Sequence, residues 1–359
     1  MKKLLFSAYD LNVGGIETSL LTLLNTLAKK DYDITLLLEK KQGTFLTELN
    51  DKIHIIEYNP CTNKIVLIRK TVNLMKRIGF ILKYKNKFDF SAAYATYSQV
   101  ASFTAKIASS NNALWGHADY LALFHGDTQK VRNFFNKLHV QEFKHIIFVS
   151  NAGAKSFISI FPEEKEKVLF CNNLVNDEKI RMLAEENIEE TKQTYTFVNI
   201  GRHDEQQKKL TRIIEATKRL KDEQYDFQVW FIGSGQDTNY YKELVKQYKI
   251  EDYIKFYGAK KNPYPYMKLA DSVILSSDYE GYPVVFLEAF ILKKPIITTD
   301  VSDAKEDVQN QFGKVVEKDI DAICQEMKEF IKTGYDIKNK FDPSRYNQEI
   351  IQKLEKLFP

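Results

Sequence analysis

A chain of 359 residues, 44% apolar and 28% charged, has the length of two ordinary domains and the composition of a globular protein. It has no stretch of about eighteen uncharged apolar residues, which excludes a membrane-spanning helix, and a net charge of +4 is too small to imply nucleic-acid binding. Three widely spaced cysteines (Cys61, Cys171, Cys324), none in a C-x-x-C pair, argue against a disulfide framework or zinc site and for a reducing cytoplasm. The start, Met1-Lys2-Lys3-Leu4-Leu5-Phe6, is basic like a signal peptide, but Asp10 cuts the apolar run short. It reads as a first buried strand.

In chain order, the first half predicts strands at 3–8, 34–38, 53–58, 88–93, 113–116 and 146–150. The second half predicts strands at 196–200, 228–232, 254–256, 272–275 and 296–299. Each is followed by a turn and a helical pattern, the signature of α/β folds with parallel sheets. Two such series suggest two Rossmann-type halves rather than one barrel. The polar stretch 173–194 reads as a hinge with one helix. Tyr346, Ile350, Leu354 and Leu357, at helical spacing, make the tail a final helix.

In open α/β sheets, ligands bind at the carboxyl ends of strands, so three loops draw the chemistry. Asn12-Val13-Gly14-Gly15-Ile16-Glu17-Thr18 follows the first strand and opens a helix. Its paired glycines allow close backbone approach and the helix start suits phosphate, although a tight turn without ligand fits as well. Gly201-Arg202-His203-Asp204-Glu205-Gln206-Gln207-Lys208-Lys209 offers a guanidinium fork and an ammonium to one anion. The plain alternative is a solvated loop.

The third is the most specific: Glu280-Gly281-Tyr282-Pro283-Val284-Val285-Phe286-Leu287-Glu288. Pro283 is placed in the first turn of the next helix. Glu288 lies within an otherwise apolar helix, where a carboxylate is costly unless its oxygens find donors. Ribose hydroxyls would be such donors, and a structural bond to a neighbour is the alternative.

These pieces, together with GGIET, WGH, GRHDEQQKKL, FYGAKKNPYPYMKLADSVILSSDYEGYPVVFLEA and KKPIITTD in that order, resemble the retaining family 4 glycosyltransferases. The spacing of Glu280 and Glu288 matches that family's Glu-x7-Glu motif. The resemblance implies the α/β GT-B fold, two Rossmann-like domains facing across a cleft. Residues 1–173 would bind acceptor, 174–342 the nucleotide-sugar donor, and 343–359 would form a helix crossing back.

By the same resemblance, Arg202 and Lys208 hold the donor diphosphate, while Glu280 takes the sugar hydroxyls with the backbone of Gly281, Tyr282, Pro283 and Val284. Glu288 takes the ribose, the base rests near Gly258 and Ala259, and Gly14 and Gly15 approach the diphosphate. His117 contacts the sugar or positions the acceptor. The implied reaction retains the anomeric configuration and uses no metal or other cofactor, with a UDP-sugar as the guessed donor. Lys209 and Lys293-Lys294 depart from the family pattern, which usually has glycine there. The chain also looks like bacterial capsule or cell-wall polysaccharide transferases, which implies a saccharide or lipid-linked acceptor at the inner face of the plasma membrane. A nucleotide-sugar epimerase and a catalytically silent accessory subunit are the rival readings.

Three patterns are set aside. Asp31-Tyr32-Asp33 has the form of a metal motif but precedes a strand, away from the ligand loops. Gly233-Ser234-Gly235 lacks the third glycine of a dinucleotide fingerprint. His54, His125, His139, His145 and His203 show no ligand spacing and read as surface or core residues. Finally, residues 64–87 contain eight cations and no acid. Arg69, Lys70, Lys76, Arg77 and Lys83 share one helical arc, with Ile68, Val72, Met75, Ile78 and Leu82 opposite. Such a helix suits anionic lipid, and equally a surface position with its apolar face packed on the sheet.

Overall fold

The apolar runs become two all-parallel sheets, in a computed structural model that describes residues 1–12 and 14–358. Two compact units result, Met1–Val175 with Ser344–Pro359, and Asn176–Pro343.

The first unit runs β1 (Lys2–Ala8), α1 (Gly15–Leu27), β2 (Tyr32–Leu38), β3 (His54–Glu57), α2 (Val66–Tyr84), β4 (Phe90–Ala93), α3 (Gln99–Ala108) and β5 (Asn112–Gly116). It continues through α4 (Tyr120–Leu123), α5 (Thr128–Lys137), β6 (His145–Phe148), α6 (Asn151–Ile160) and β7 (Val168–Phe170). Its sheet order is β3-β2-β1-β4-β5-β6-β7. β1 and β4 are buried along nearly their whole length, as strands covered on both faces must be. An aromatic cluster fills one side, with Phe135 fully buried between Tyr120, Phe157 and Phe161.

The second unit runs α7 (Asp177–Leu183), β8 (Tyr195–Ile200), α8 (Leu210–Asp222), β9 (Phe227–Ile232), α9 (Thr238–Tyr248), β10 (Ile254–Gly258) and α10 (Tyr264–Leu269). Then come β11 (Ser272–Leu275), α11 (Val284–Ile291), β12 (Ile296–Thr299), α12 (Ala304–Asp307), β13 (Gly313–Val316) and α13 (Ile320–Thr333). The order is β10-β9-β8-β11-β12-β13. The last helix, α14 (Pro343–Glu355), belongs to the first unit. Asn347 there bonds both backbone groups of Val175, and Lys30 pairs with Glu355 at 2.6 Å.

β7 and β13 were not anticipated. Both are edge strands of three or four residues, mostly half-buried, so neither produces a buried apolar run. The packing expected for α2 is also corrected. Its buried residue is Phe80, set against Tyr58, Tyr84 and Phe103. Of the expected apolar arc, Ile68, Met75, Ile78 and Leu82 are exposed and Val72 is half-buried, and Leu67 and Leu74 beside it are exposed too. Among the described residues no helix is long and apolar enough to cross a membrane.

Candidate functional site

In each sheet the strand order reverses direction once, between β1 and β4 and between β8 and β11. At such a point neighbouring loops diverge at the carboxyl ends of the strands, leaving room for a ligand. In the second unit, the two loops flanking this point are the basic loop 201–209 and the two-glutamate loop 276–283. They are tied together. The Asp278 amide donates to the Gln207 carbonyl at 2.8 Å, and Ser276 Oγ donates to the Lys208 and Lys209 carbonyls at 2.9 Å. Arg212 reaches the Ser276 carbonyl at 2.9 Å and Asp278 at 2.7 Å.

This brings Arg202, Lys208 and Glu280 into one network. Lys208 Nζ contacts Glu280 Oε1 at 2.5 Å, and Ser277 Oγ donates to the same oxygen at 2.7 Å. Gln207 Nε2 donates to Glu280 Oε2 at 3.3 Å, while its Oε1 accepts from Arg202 at 2.8 Å. Glu280 is buried, and the Arg202 side chain is 64% exposed. A buried carboxylate is tolerable here because an ammonium, a hydroxyl and an amide satisfy it. Arg202 also lies 3.3 Å from Asp204, and Lys209 lies 3.8 Å from Glu205. The cations of this loop are therefore individually balanced rather than an uncompensated positive patch.

Gly233 and Gly235 have a structural role. A Cβ at Gly233 would fall 1.8 Å from the Gly201 carbonyl oxygen, and one at Gly235 2.2 Å from that of His203. The two glycines let the loop after β9 press against the basic loop. His203 is a core residue, 2.9 Å from Thr238, with burial pushing its pKa down to about 4.

Glu288 stands apart from that network. Its carboxyl accepts from Tyr264 Oη at 3.0 Å. An edge of the residue reaches the surface, yet desolvation pushes the carboxyl up to about 7, with the Tyr264 bond working the other way. Gly258, with φ of 70°, ends β10, and its carbonyl accepts from the Gly233 amide at 2.9 Å. Ala259 follows it on the stretch leading to Tyr264.

One expectation for the third loop changes. Pro283 caps α11 rather than lying in its first turn, with φ of −66° and ψ of 109°. Tyr282, whose backbone rather than side chain is expected at the site, is buried with its hydroxyl bonded to Asp307 at 2.7 Å. The helices opening at the three loops, α1, α8 and α11, have no side-chain cap. By contrast, Ser98, Ser150 and Asp319 cap α3, α6 and α13. Uncapped starts also occur at α9 and α10, so this feature permits an anion without marking one.

The departures from glycine have a backbone meaning. Lys209 holds φ 49° and ψ 46° at the start of α8, and Lys293 holds φ 54°. A left-handed non-glycine residue costs roughly 1–2 kcal/mol, against roughly 0.5–1 kcal/mol of extra chain entropy for glycine. Lys209→Gly is therefore expected to be neutral or stabilising by up to about 1 kcal/mol in urea unfolding. A clear loss of stability would show that the Lys209 side chain outweighs the strain.

In the first unit, Gly14 is the N-cap of α1, and a Cβ there would meet the Glu17 carboxylate at 2.2 Å. Glu17 thus lies across Gly14, held by Tyr97 Oη at 2.7 Å, whereas Gly15 faces open space. Val13 of the same turn lies outside the described residues. His117 follows β5, its ring 4.7 Å from that of Tyr94 and bonded to the Tyr94 carbonyl. Burial lowers its pKa to about 3, and Nε2 meets no hydrogen-bond partner among the described residues. The carbonyl bond must then use Nδ1–H, which leaves Nε2 a neutral acceptor.

Asp31 and Asp33 lie where β2 begins, at the opposite edge from these loops. Among the described residues no cluster of His, Cys, Asp or Glu could hold a metal ion. Sequence reasoning missed Gln207, Ser277 and Tyr264. Ser277 is three residues from Glu280 and could have been suspected, but nothing local signals the other two.

Residues 181–348 match the family described as Glycosyl transferases group 1. An uncharacterized glycosyltransferase of Methanocaldococcus jannaschii is 28% identical over 46% of this chain and 42% of its own. The capsular polysaccharide biosynthesis glycosyltransferase CapH of Staphylococcus aureus is 25% identical over 62% of this chain and 63% of its own. The chain thus spans less than two thirds of either relative. Anabaena Alr3699/HepE, crystallised with UDP and glucose, superposes with a TM-score of 0.74 at 17% identity, covering 99% of this chain and 100% of that one. That likeness is one of fold. Residues 181–348 thus resemble the group 1 glycosyltransferases, and the two parallel sheets have the GT-B fold.

Proposed function

We propose that the chain moves a sugar from a nucleoside diphosphate donor to a saccharide or lipid-linked acceptor, retaining the anomeric configuration and requiring no metal. The observation that carries this reading is the Arg202–Gln207–Glu280–Lys208 network at the β8/β11 switch point, beside the uncapped start of α11. A diphosphate entering there exchanges for the carboxylates as partner of the two cations. Because Gln207 holds Arg202 and Ser276 fixes the backbone at Lys208, little reorganisation is needed as charge grows on the leaving group.

On this reading the C1–O bond breaks with its electron pair passing to the diphosphate. The acceptor oxygen attacks C1 on the same face, and its proton goes to the departing phosphate oxygen. Glu280 and the Gly281–Val284 backbone orient the sugar, Glu288 with Tyr264 receives the ribose, and Gly258 and Ala259 border the base. Gly14 and Gly15 meet phosphate. His117 offers a neutral nitrogen acceptor to a sugar or acceptor hydroxyl. A UDP-sugar is the proposed donor. The likeness to CapH supports a role in capsular polysaccharide synthesis, and the inner face of the membrane is the proposed location.

Thermal unfolding with a panel of nucleotide sugars tests this. The matching donor should stabilise the fold by about 2.7 kcal/mol at a hundred times its Kd, and slow release of the nucleoside diphosphate, unchanged by EDTA, should follow. A new nucleotide sugar as product would indicate an epimerase, and no stabilisation by any donor a silent subunit.

A further inference from the structure

The structure leaves an amphipathic helix presented the wrong way round for a core element. Helix α2 is anchored through Phe80, and Arg77 from the next position along that side lies over the Phe103 ring at 5.2 Å. With 3.6 residues per turn, Leu74, Leu67, Ile78, Leu82 and Met75 fall within an arc of about 100° centred opposite Phe80. They are 48–80% exposed. Lys70 and Arg77 border this stripe on one side, and Arg69, Lys76 and Lys83 flank the anchor on the other. No acidic residue lies between Glu57 and Asp89.

We propose that this face of α2 docks on an anionic phospholipid bilayer, lying in the interface plane with its leucines among the acyl chains. The arrangement fits because the apolar stripe points straight away from the unit, while the cations sit higher on both flanks, at the level lipid phosphates occupy. Charge selects this occupant. A second copy placed on the stripe would bring two sets of five cations together with no carboxylate on either helix to balance them. A free polyanion would pair with the cations but leave the stripe in water. This inference goes beyond the donor site and does not depend on it.

Vesicle flotation of the full chain tests it, with phosphatidylcholine alone and with phosphatidylcholine containing phosphatidylglycerol. Binding is expected only to the anionic vesicles and should weaken as salt rises. Leu74→Gln and Leu82→Gln, which keep helix propensity, should each reduce partitioning about tenfold. Combined Arg69→Gln and Lys76→Gln should remove the preference for anionic lipid. Thermal midpoint and nucleotide-sugar affinity should be unchanged in all of them, because these side chains lie outside the core and the site. No binding to anionic vesicles, or binding indifferent to the leucine changes, would overturn the proposal. So would a concentration-dependent dimer abolished by Leu74→Gln in sedimentation, which would assign the stripe to a second copy.

Discussion

Lys208→Ala is expected to lower turnover about a hundred- to a thousandfold, the usual loss when a preorganised group facing developing charge is removed. The ammonium sits 2.5 Å from Glu280 and is itself mostly buried, so no solvent cation can take its place. Donor affinity should fall less than turnover, because charge on the leaving oxygens is greatest after the C1–O bond has stretched. The change also strips Glu280 of its ion-pair partner, leaving Ser277 and Gln207 as donors. Stability must therefore be measured beside kcat, and Lys208→Ala compared with the double variant Lys208→Ala, Glu280→Gln, which removes the stranded carboxylate. Wild-type turnover in a folded Lys208→Ala protein would end the assignment of this lysine to the leaving group.

The second large effect concerns pH. Desolvation raises Glu288 to about 7, so the free protein carries a proton there at pH 5–6. Ribose hydroxyls donate to a carboxylate, and binding must release that proton. Donor affinity should weaken about tenfold for each pH unit below 7 and level off above it. The fold responds in the opposite sense. A carboxyl whose folded pKa is raised contributes stability at low pH, and that contribution is lost as pH climbs from the unfolded value through about 7. Glu288→Gln should weaken donor binding roughly ten- to a hundredfold at pH 8, the worth of hydrogen bonds to a charged group. It should also abolish the pH dependence. Isothermal titration from pH 5.5 to 8 measures both, and a flat wild-type profile would exclude Glu288 as the ribose acceptor.

Much of this site could be read before any coordinates. A glycine pair after a strand, a basic loop after a strand and a glutamate at a strand-to-helix junction are local patterns, and the α/β rule of ligand binding at strand ends turns them into positions. Gln207 and Tyr264 could not be found that way. Gln207 meets Glu280 across 73 residues and Tyr264 meets Glu288 across 24, contacts that only the lateral order of the strands creates. The same holds for the paired glycines after β9. Their pattern is that of a turn, and only the position of the Gly201 carbonyl explains why no Cβ fits.

Local chemistry by itself determined the alternation of strands and helices, the two-unit organisation and the loops of the candidate site. Burial periodicity and glycine placement act within a few residues, so they are written in the chain. The tertiary structure alone decided that the reversal of strand order falls between β8 and β11, bringing Arg202, Lys208 and Glu280 to one place. It also decided the orientation of α2. The helical pattern defines two faces, but which one turns inward depends on what the neighbouring elements offer. Here an aromatic pocket claims Phe80 from among the cations and turns the leucines outward.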